Sequence, residues 1–151
     1  MANTYTTLLV HYVFSTKRRE KIIKGIMQER LWPYIGGIAR ENKMKAHAVG
    51  GTEDHVHLLL SLPATISVSK AIQLIKGGSS IWINNTFPDY NKKFRWQEGY
   101  GAFTVGISHI EDTISYINNQ KEHHKVKTFQ EEYVAFLKKH NIEYDEKYVW
   151  D

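Results

Sequence analysis

The histidine pair His55-Val56-His57 is the sharpest chemical feature of this 151-residue chain. It lies in the segment DHVHLLLSL, whose composition predicts a β-strand that ends before Pro63. Strand side chains alternate between two faces, so His55 and His57 share one face with Leu59 and Ser61, and the other face carries Val56, Leu58, Leu60 and Leu62 as expected core residues. Two imidazoles in this arrangement can converge on one metal ion, and the alternative is a hydrogen-bonded or exposed pair.

A tyrosine and a glutamine form the second feature. Tyr116 and Gln120 are four residues apart on a predicted helix that begins after Ser108, with Glu111 completing a capping box, and ends near His124. Tyr116 lies about a quarter turn or more from the middle of the apolar stripe of this helix, so it is not an obvious core residue. A half-buried tyrosine at the edge of a helix contact is the alternative. His123 and His124 either reach the same site or cap the end of the helix, and His11 faces the histidine pair if the strand register allows it.

The remaining pattern predicts the elements that position these side chains. Strands are expected at 6–14, 43–51, 54–62 and 100–106, and helices at 20–42, 67–83, 108–124 and 128–140. The first helix is expected to kink or break at Pro33 and Gly36-Gly37, and Thr128 with Glu131 forms a capping box for the last. The order β-α-β-β-α-β indicates an α+β, ferredoxin-like (RRM-like) antiparallel sheet with additional C-terminal helices, in which the first and third strands are central neighbours. Residues 1–128 form the main body, and residues 129–151 form a C-terminal helix and acidic tail of the same domain.

The composition of the chain excludes several classes of function. The net charge is +4, but residues 1–128 hold 17 Lys and Arg against 10 Asp and Glu (+7), whereas residues 129–151 hold 3 against 6 (−3). The absence of cysteine excludes disulfides, thiolate zinc sites and a cysteine nucleophile. No apolar run approaches the ~18 residues of a membrane helix, and the N-terminus lacks a secretory pattern, so we expect a cytoplasmic protein without membrane contact. The glycines near Lys76 lack the spacing of a phosphate-binding loop, which argues against a nucleotide cofactor.

Basic residues cluster in two predicted loops. Aromatic residues interleave with them in the second loop, and this combination suits single-stranded DNA, whose bases stack while its phosphates are neutralised. A solvated loop with anchoring aromatics is the alternative. The candidate DNA-binding residues are Lys17, Arg18, Arg19, Lys92, Lys93 and Arg95.

Taken together, the histidine motif and the Y-x-x-x-Q helix some sixty residues later resemble a known family. The segments VGGTEDHVHLLLSL, SVSKAIQLIKGGSSIWIN, FRWQEGYGAFTVG and YINNQKEHH have the order and spacing of the single-tyrosine HUH transposases of small bacterial insertion sequences, the IS200-like family with its repeat-associated relatives. The resemblance covers nearly the whole chain, without departure at the motif positions.

The resemblance implies a mechanism and a set of partners. His55, His57 and Gln120 would hold a divalent ion, Mg²⁺ or Mn²⁺, and Tyr116 would be the nucleophile that cuts single-stranded DNA near hairpins and keeps a 5′-phosphotyrosine bond. Such proteins are homodimers, in which the tyrosine helix serves the histidine pair of its own subunit or of the other. A domesticated hairpin-DNA endonuclease shares this chemistry. A non-catalytic RRM-like module would instead stack bases on Tyr12 and Phe14, although histidines and leucines then occupy its third strand.

Overall fold

The computed structural model describes residues 3–88 and 93–151. Its strands form one antiparallel sheet in the order β2-β3-β1-β4, so the first and third strands are central neighbours, as the sequence predicts. Val56 pairs with Phe14 and His57 pairs with Val13, which fixes the side chains that share each face. The strands are β1 (Leu9–Ser15), β2 (Lys45–Gly51), β3 (His55–Ser61) and β4 (Gly101–Thr104).

Two long helices cover one face of the sheet, α1 (Gly25–Glu41) and α2 (Val68–Thr86). Between them and the sheet lies the main apolar core, which includes the predicted core residues of β3: Val56, Leu58, Leu60 and Leu62. The hydroxyl of Ser67 accepts a hydrogen bond from the backbone N–H of Lys70 and caps α2 at its predicted start. Tyr12 and Phe14 are fully buried in this core, so they cannot stack nucleic-acid bases as an RRM-like module requires.

The sequence predicts a kink or a break in the first helix, and the break is wrong. α1 begins later than expected and then runs without interruption through Pro33 and the two glycines. Proline in a helix interior costs about 3 kcal/mol because a backbone hydrogen bond is lost. Leu31, Ile35 and Ala39, on either side of it, are fully buried, and their packing holds the helix together despite this cost.

Three shorter helices cover the other face, on which the histidine pair lies. They are α3 (Ile110–Asn118), α4 (Gln120–His123) and α5 (Phe129–Lys139). The predicted cap at Ser108 is wrong, because a 3₁₀ turn from Ile107 to His109 precedes α3 and takes up that serine. The single helix expected over 108–124 is divided at Asn119, so Tyr116 and Gln120 belong to consecutive helices.

The C-terminal segment packs against the body of the protein. Thr128 and Glu131 form the predicted capping box at the start of α5. The Trp150 ring contacts the rings of Tyr133 and Phe129, and the backbone N–H of Gly99 donates to the carbonyl of Asp151. Among the helices of the two described ranges, none has both the length and the apolar content of a membrane span.

Candidate active site

The two histidines lie at the start of β3 and turn their Nε2 atoms toward the same space. The Nδ1 atom of His55 lies 2.8 Å from a carboxylate oxygen of Asp54 and 2.9 Å from the hydroxyl of Thr52. This contact with a carboxylate identifies Nδ1 as the protonated nitrogen, so Nε2 of neutral His55 carries a lone pair. The nearest oxygen to that lone pair is Oε1 of Gln120, at 3.4 Å.

His57 is held between a second histidine and a carboxylate. Its Nδ1 atom lies 2.8 Å from Nε2 of His11, and its Nε2 atom lies 2.8 Å from Oε1 of Glu132. Both histidines are almost completely buried. Burial lowers the pKa of His57 to about 4, although the neighbouring carboxylate raises it. His57 is therefore neutral at pH 7, and the contact of its Nε2 with a carboxylate places its one ring proton on Nε2 in the metal-free protein. A metal ion on Nε2 would replace that proton, which Nδ1, facing His11, would then carry.

Gln120, the third predicted ligand, projects from the start of α4 into this space. Its Nε2 donates to the backbone carbonyl of Tyr116 at 3.2 Å, which orients Oε1 toward His55 and toward Nε2 of His124, 3.0 Å away. Gln120 is 1% exposed. The structure thus brings the three predicted ligands together.

The candidate nucleophile Tyr116 lies beside the histidine pair of its own chain. Its ring centroid is 5.6 Å from that of His57, and its hydroxyl donates to Oε2 of Glu132 and lies 3.2 Å from Nε2 of His123. Burial, followed by the contact with Glu132, raises the pKa of Tyr116 well above its usual value. The phenol is therefore protonated at neutral pH and needs a proton acceptor before it can attack phosphorus.

A glycine on β2 allows the tyrosine helix to lie this close. A Cβ atom on Gly50 would clash with the carbonyl oxygen of Ile117, the residue after Tyr116. Ile117 itself is fully buried against Leu59 and Ala48. The position of α3, and with it that of Tyr116, depends on close contact between this helix and the sheet.

Glu132 is the functional candidate that sequence reasoning missed. It is 2% exposed and projects from α5 into the middle of the cluster. Burial would raise its pKa, but hydrogen bonds from His124 and His57 outweigh burial and hold the pKa far below the usual value. One signal was present in the sequence: Glu132 lies on the same helical face as Phe129 and Phe136, where an unpaired charge is costly.

Three other histidines, His11, His123 and His124, contact the site, which resolves the alternatives that the sequence left open. His123 and His124 place their Nε2 atoms 3.2 Å and 3.3 Å from the carboxylate of Glu132. Burial would lower the pKa of His124, but its hydrogen bond to Glu132 raises the pKa above its usual value. His11 supports His57, and burial lowers the pKa of His11 to about 3.

The donor set fits a divalent cation. Ligand atoms of His55, His57, His124 and Glu132 all lie within 4.8 Å of one another. The lone pair of His55 Nε2 faces two acceptor oxygens. Oε1 of Gln120 lies 3.4 Å from this nitrogen and Oε1 of Glu132 lies 3.9 Å from it. An imidazole whose other nitrogen bonds a carboxylate is a typical metal ligand, and His55 has this arrangement through Asp54.

A basic groove opens next to the cluster. It encloses about 750 Å³ and reaches His55 and His124 from the surface. The predicted DNA-binding residues Arg18 and Arg19 line it, together with three further lysines: Lys21, Lys121 and Lys125. Lys17, Lys93 and Arg95 line a different cavity beside α2, so the predicted basic set divides between two places. Lys92 lies outside the described residues.

Comparison with known proteins identifies the class of protein to which this fold belongs, that of the DNA transposases. A family model described as "Transposase IS200 like" matches residues 4–120, about three quarters of the chain. The chain therefore belongs to the IS200-like transposase family.

Individual relatives agree with this assignment. The transposase for insertion sequence element IS200 of Salmonella typhimurium is 29% identical over 132 residues, which cover 83% of this chain and 85% of that protein. The ISDra2 transposase TnpA of Deinococcus radiodurans is 24% identical over 116 residues, 74% of this chain and 83% of that protein.

Solved structures share the fold. A crystal structure of a candidate transposase from Deinococcus radiodurans R1 has a TM-score of 0.66 at 23% identity, and the match covers 80% of this chain and 95% of that one. A REP-associated tyrosine transposase bound to a REP hairpin has a TM-score of 0.59 at 16% identity, with 82% of this chain and 73% of that chain covered. The predicted α+β sheet is thereby confirmed.

Proposed function

We propose that this transposase nicks and rejoins single-stranded DNA through a covalent bond to Tyr116, assisted by a divalent ion that His55, His57 and Gln120 hold. One observation carries the proposal: the side chains of Tyr116, the histidine pair and Gln120 converge within a single chain. Tyr116 then needs no contribution from a second subunit to reach the histidine pair.

The bond changes follow from the chemistry of a phosphodiester. The phenolic oxygen of Tyr116 bonds to phosphorus, and the bond from phosphorus to the 3′ oxygen breaks. The 3′ oxygen takes up a proton and leaves as a hydroxyl, while the 5′ phosphate stays on the tyrosine. The phosphotyrosine bond conserves the energy of the broken bond, so the reverse reaction rejoins DNA without a nucleotide cofactor.

Each residue of the site then has a defined role. A divalent ion at the site would supply positive charge that neutralises the non-bridging phosphate oxygens. His55, His57 and Gln120 are uncharged ligands, so they leave that charge available for the phosphate. Gln120 also fixes the backbone of Tyr116 through its amide hydrogen bond. The hydroxyl proton of Tyr116 leaves toward His123, whose Nε2 lies 3.2 Å from the hydroxyl oxygen, because the lowered pKa of Glu132 makes its carboxylate a weak proton acceptor.

The proposed substrate is single-stranded DNA that carries a hairpin, and the proposed assembly is a homodimer. A basic groove beside the histidines can neutralise several phosphates, and one solved relative of this fold is bound to a REP hairpin. The homodimer follows from the family resemblance. Sedimentation velocity tests it, and a monomer at concentrations that give full cleavage would contradict it.

A covalent-adduct assay tests the proposed reaction. Labelled hairpin-bearing single-stranded DNA is incubated with the protein and Mn²⁺ and then separated on a denaturing gel. We expect an adduct that is lost in Tyr116→Phe and with a chelator, and that persists in Tyr148→Phe, whose tyrosine is exposed in the C-terminal tail. Undiminished adduct in Tyr116→Phe would move the nucleophile to another residue. Tight metal-independent binding without cleavage would favour a binding module instead.

A further inference from the structure

The carboxylate of Glu132 lies between the candidate metal ligands and the candidate nucleophile. Oε1 faces Nε2 of His57 at 2.8 Å, and Oε2 accepts the hydroxyl of Tyr116. Glu132 belongs to α5, whereas the match to the family model ends at residue 120. The carboxylate therefore lies outside the segment that the family model matches.

We propose that Glu132 bridges the two halves of the site: Oε1 is an additional ligand of the divalent ion that His55 and His57 hold, and Oε2 positions the hydroxyl of Tyr116. This inference rests on the proposed function, because it presumes that the histidine pair binds a metal. It assigns to the C-terminal helix a direct part in the site, beyond that of a cover over the sheet.

Distances between the donor atoms support the ligand assignment. Ligands at about 2.1 Å from an ion lie about 3.0 Å apart in octahedral and about 3.4 Å apart in tetrahedral sites. Oε1 of Glu132 is 2.8 Å from Nε2 of His57 and 3.9 Å from Nε2 of His55. These separations bracket the expected values. Loss of the proton between Nε2 of His57 and Oε1, with small side-chain shifts, would therefore place one ion in contact with all three atoms.

Charge gives an independent argument. A carboxylate that is 2% exposed needs compensation, because burying an isolated charge is costly. Among the described residues, the charged or polar groups in contact with it are histidines and one tyrosine, with no lysine or arginine. A divalent cation beside Oε1 would place positive charge next to this buried carboxylate.

The packing of α5 against the sheet fixes the position of Glu132. The capping box at Thr128 fixes where the helix begins, and the ring of Phe129 lies 4.4 Å from that of His55, centroid to centroid. Phe129, Tyr133 and Leu137 are buried in one apolar cluster with Val13 of the sheet. A ligand carried on a helix that is anchored in this way is held in place before the ion arrives.

A carboxylate ligand from Glu132 would also change which metal ions the site prefers. Imidazole nitrogen alone is an unusual ligand for Mg²⁺, which prefers oxygen. An amide oxygen from Gln120 and a carboxylate oxygen from Glu132 make the set half oxygen, which favours Mg²⁺ and Mn²⁺ more than two histidines would. The carboxylate lowers the net charge of the loaded site from +2 to +1.

Mn²⁺ binding without DNA tests the ligand assignment, with free Mn²⁺ measured by electron paramagnetic resonance. We expect Glu132→Ala to weaken binding at least about tenfold and Glu132→Gln to weaken it as well, because the amide has the shape of the carboxylate without its charge. Glu131→Gln is the matched control: Glu131 is exposed, and glutamine also completes a capping box. Its affinity is expected to equal that of the unmodified chain.

Glu132→Asp separates the two roles of the carboxylate and guards against a folding defect in the alanine variant. It keeps the charge but shortens the side chain, so we expect affinity for Mn²⁺ near that of the parent and a slower formation of the Tyr116 adduct. Unchanged affinity in Glu132→Ala, with binding lost in His57→Ala, would overturn the inference and leave the proposed function standing. Unchanged affinity in His57→Ala would instead remove the metal site of the proposed function itself.

Discussion

The two faces of the sheet are built from the same strands but held together in different ways. Toward α1 and α2, strands β1 and β3 present Tyr12, Phe14, Leu58 and Leu60, all fully buried in apolar packing. Toward α3 and α5, the intervening positions of the same strands present His11, His55 and His57, which are joined by hydrogen bonds to one another or to residues of loops and helices. Period-two alternation places a core on one side and a chemical site on the other.

The two faces also differ in how exactly their side chains must be placed. Apolar packing is non-directional, so many combinations of similar volume can fill the α1 and α2 face. On the other face each buried polar atom needs a partner at hydrogen-bond distance, and a missing partner costs about 1–3 kcal/mol. The site face therefore requires the more exact placement of side chains, because its histidines depend on particular neighbours on β1, α4 and α5 and in the loop before β3.

The largest expected effect on stability comes from a substitution that changes only the apolar face. Leu58→Ala removes a fully buried side chain, and we expect the free energy of unfolding to fall by about 2–5 kcal/mol in urea denaturation. Stabilisation by Mn²⁺ should survive, at about 2.7 kcal/mol when the ion is at a hundred times its dissociation constant. Loss of this Mn²⁺ effect in Leu58→Ala would show that the two faces are coupled.

Low pH should lower the free energy of unfolding through the histidines of the site face, whereas the apolar side chains packed on the other face do not titrate there. The pKa values of His11 and His57 are lowered in the folded state, to about 3 and about 4, from an ordinary value of 6.5. At pH values between about 4 and 6.5, these two histidines bind more protons in the unfolded chain than in the folded one. The metal-free protein therefore loses stability as the pH falls from about 6.5 toward 4. The slope reaches at most about 1.4 kcal/mol per pH unit for each histidine.

Denaturation midpoints measured across this pH range check the slope. Leu58→Ala should keep it, because the altered residue does not titrate, whereas His11→Asn should lose one histidine's share. An equal slope in His11→Asn and in the unmodified protein would show that burial does not lower the pKa of His11.

A smaller effect is expected at Thr128, which caps the helix that carries Glu132 to the site. Thr128→Ala removes the capping box and should lower the free energy of unfolding by about 1 kcal/mol. Thr128→Ser keeps a capping hydroxyl and is the matched control. Because Glu132 depends on α5, Mn²⁺ affinity should fall in the alanine variant more than in the serine variant, as titration of the metal would show.

The smallest effect on stability is expected at the rim of the basic groove. Lys121 is exposed there, so Lys121→Gln should change stability by less than about 0.5 kcal/mol. It should weaken binding of single-stranded DNA and lower the slope of log affinity against log salt by about 1. Lys45→Gln, an exposed lysine of β2 that does not line the groove, should leave that slope unchanged.

Local patterns in the sequence predicted much of this fold. The alternation of β3 separated His55 and His57 from the core residues, and the capping residues Ser67 and Thr128 marked two helix starts. The same kind of pattern failed at Ser108, where a 3₁₀ turn precedes the helix, and at Pro33, where packing holds α1 together. Local signals are weak when a few kcal/mol of tertiary packing oppose them.

The candidate site was predictable only in part. Tyr116, Gln120 and the histidine pair carried a recognisable spacing, and the structure brings all of them together. Glu132 had no motif around it, because its relevance depends on where α5 packs. His11 faced the pair only once the register of β1 against β3 was known.

The sequence by itself determined the order of the elements, the face on which the histidine pair lies and the family to which the chain belongs. These follow from local periodicity and from residues at fixed spacing along the chain. Only the tertiary structure decided that Glu132, His123 and His124 surround the same point. That arrangement depends on how helices beyond the tyrosine pack over the sheet, and long-range packing leaves no local pattern in the chain.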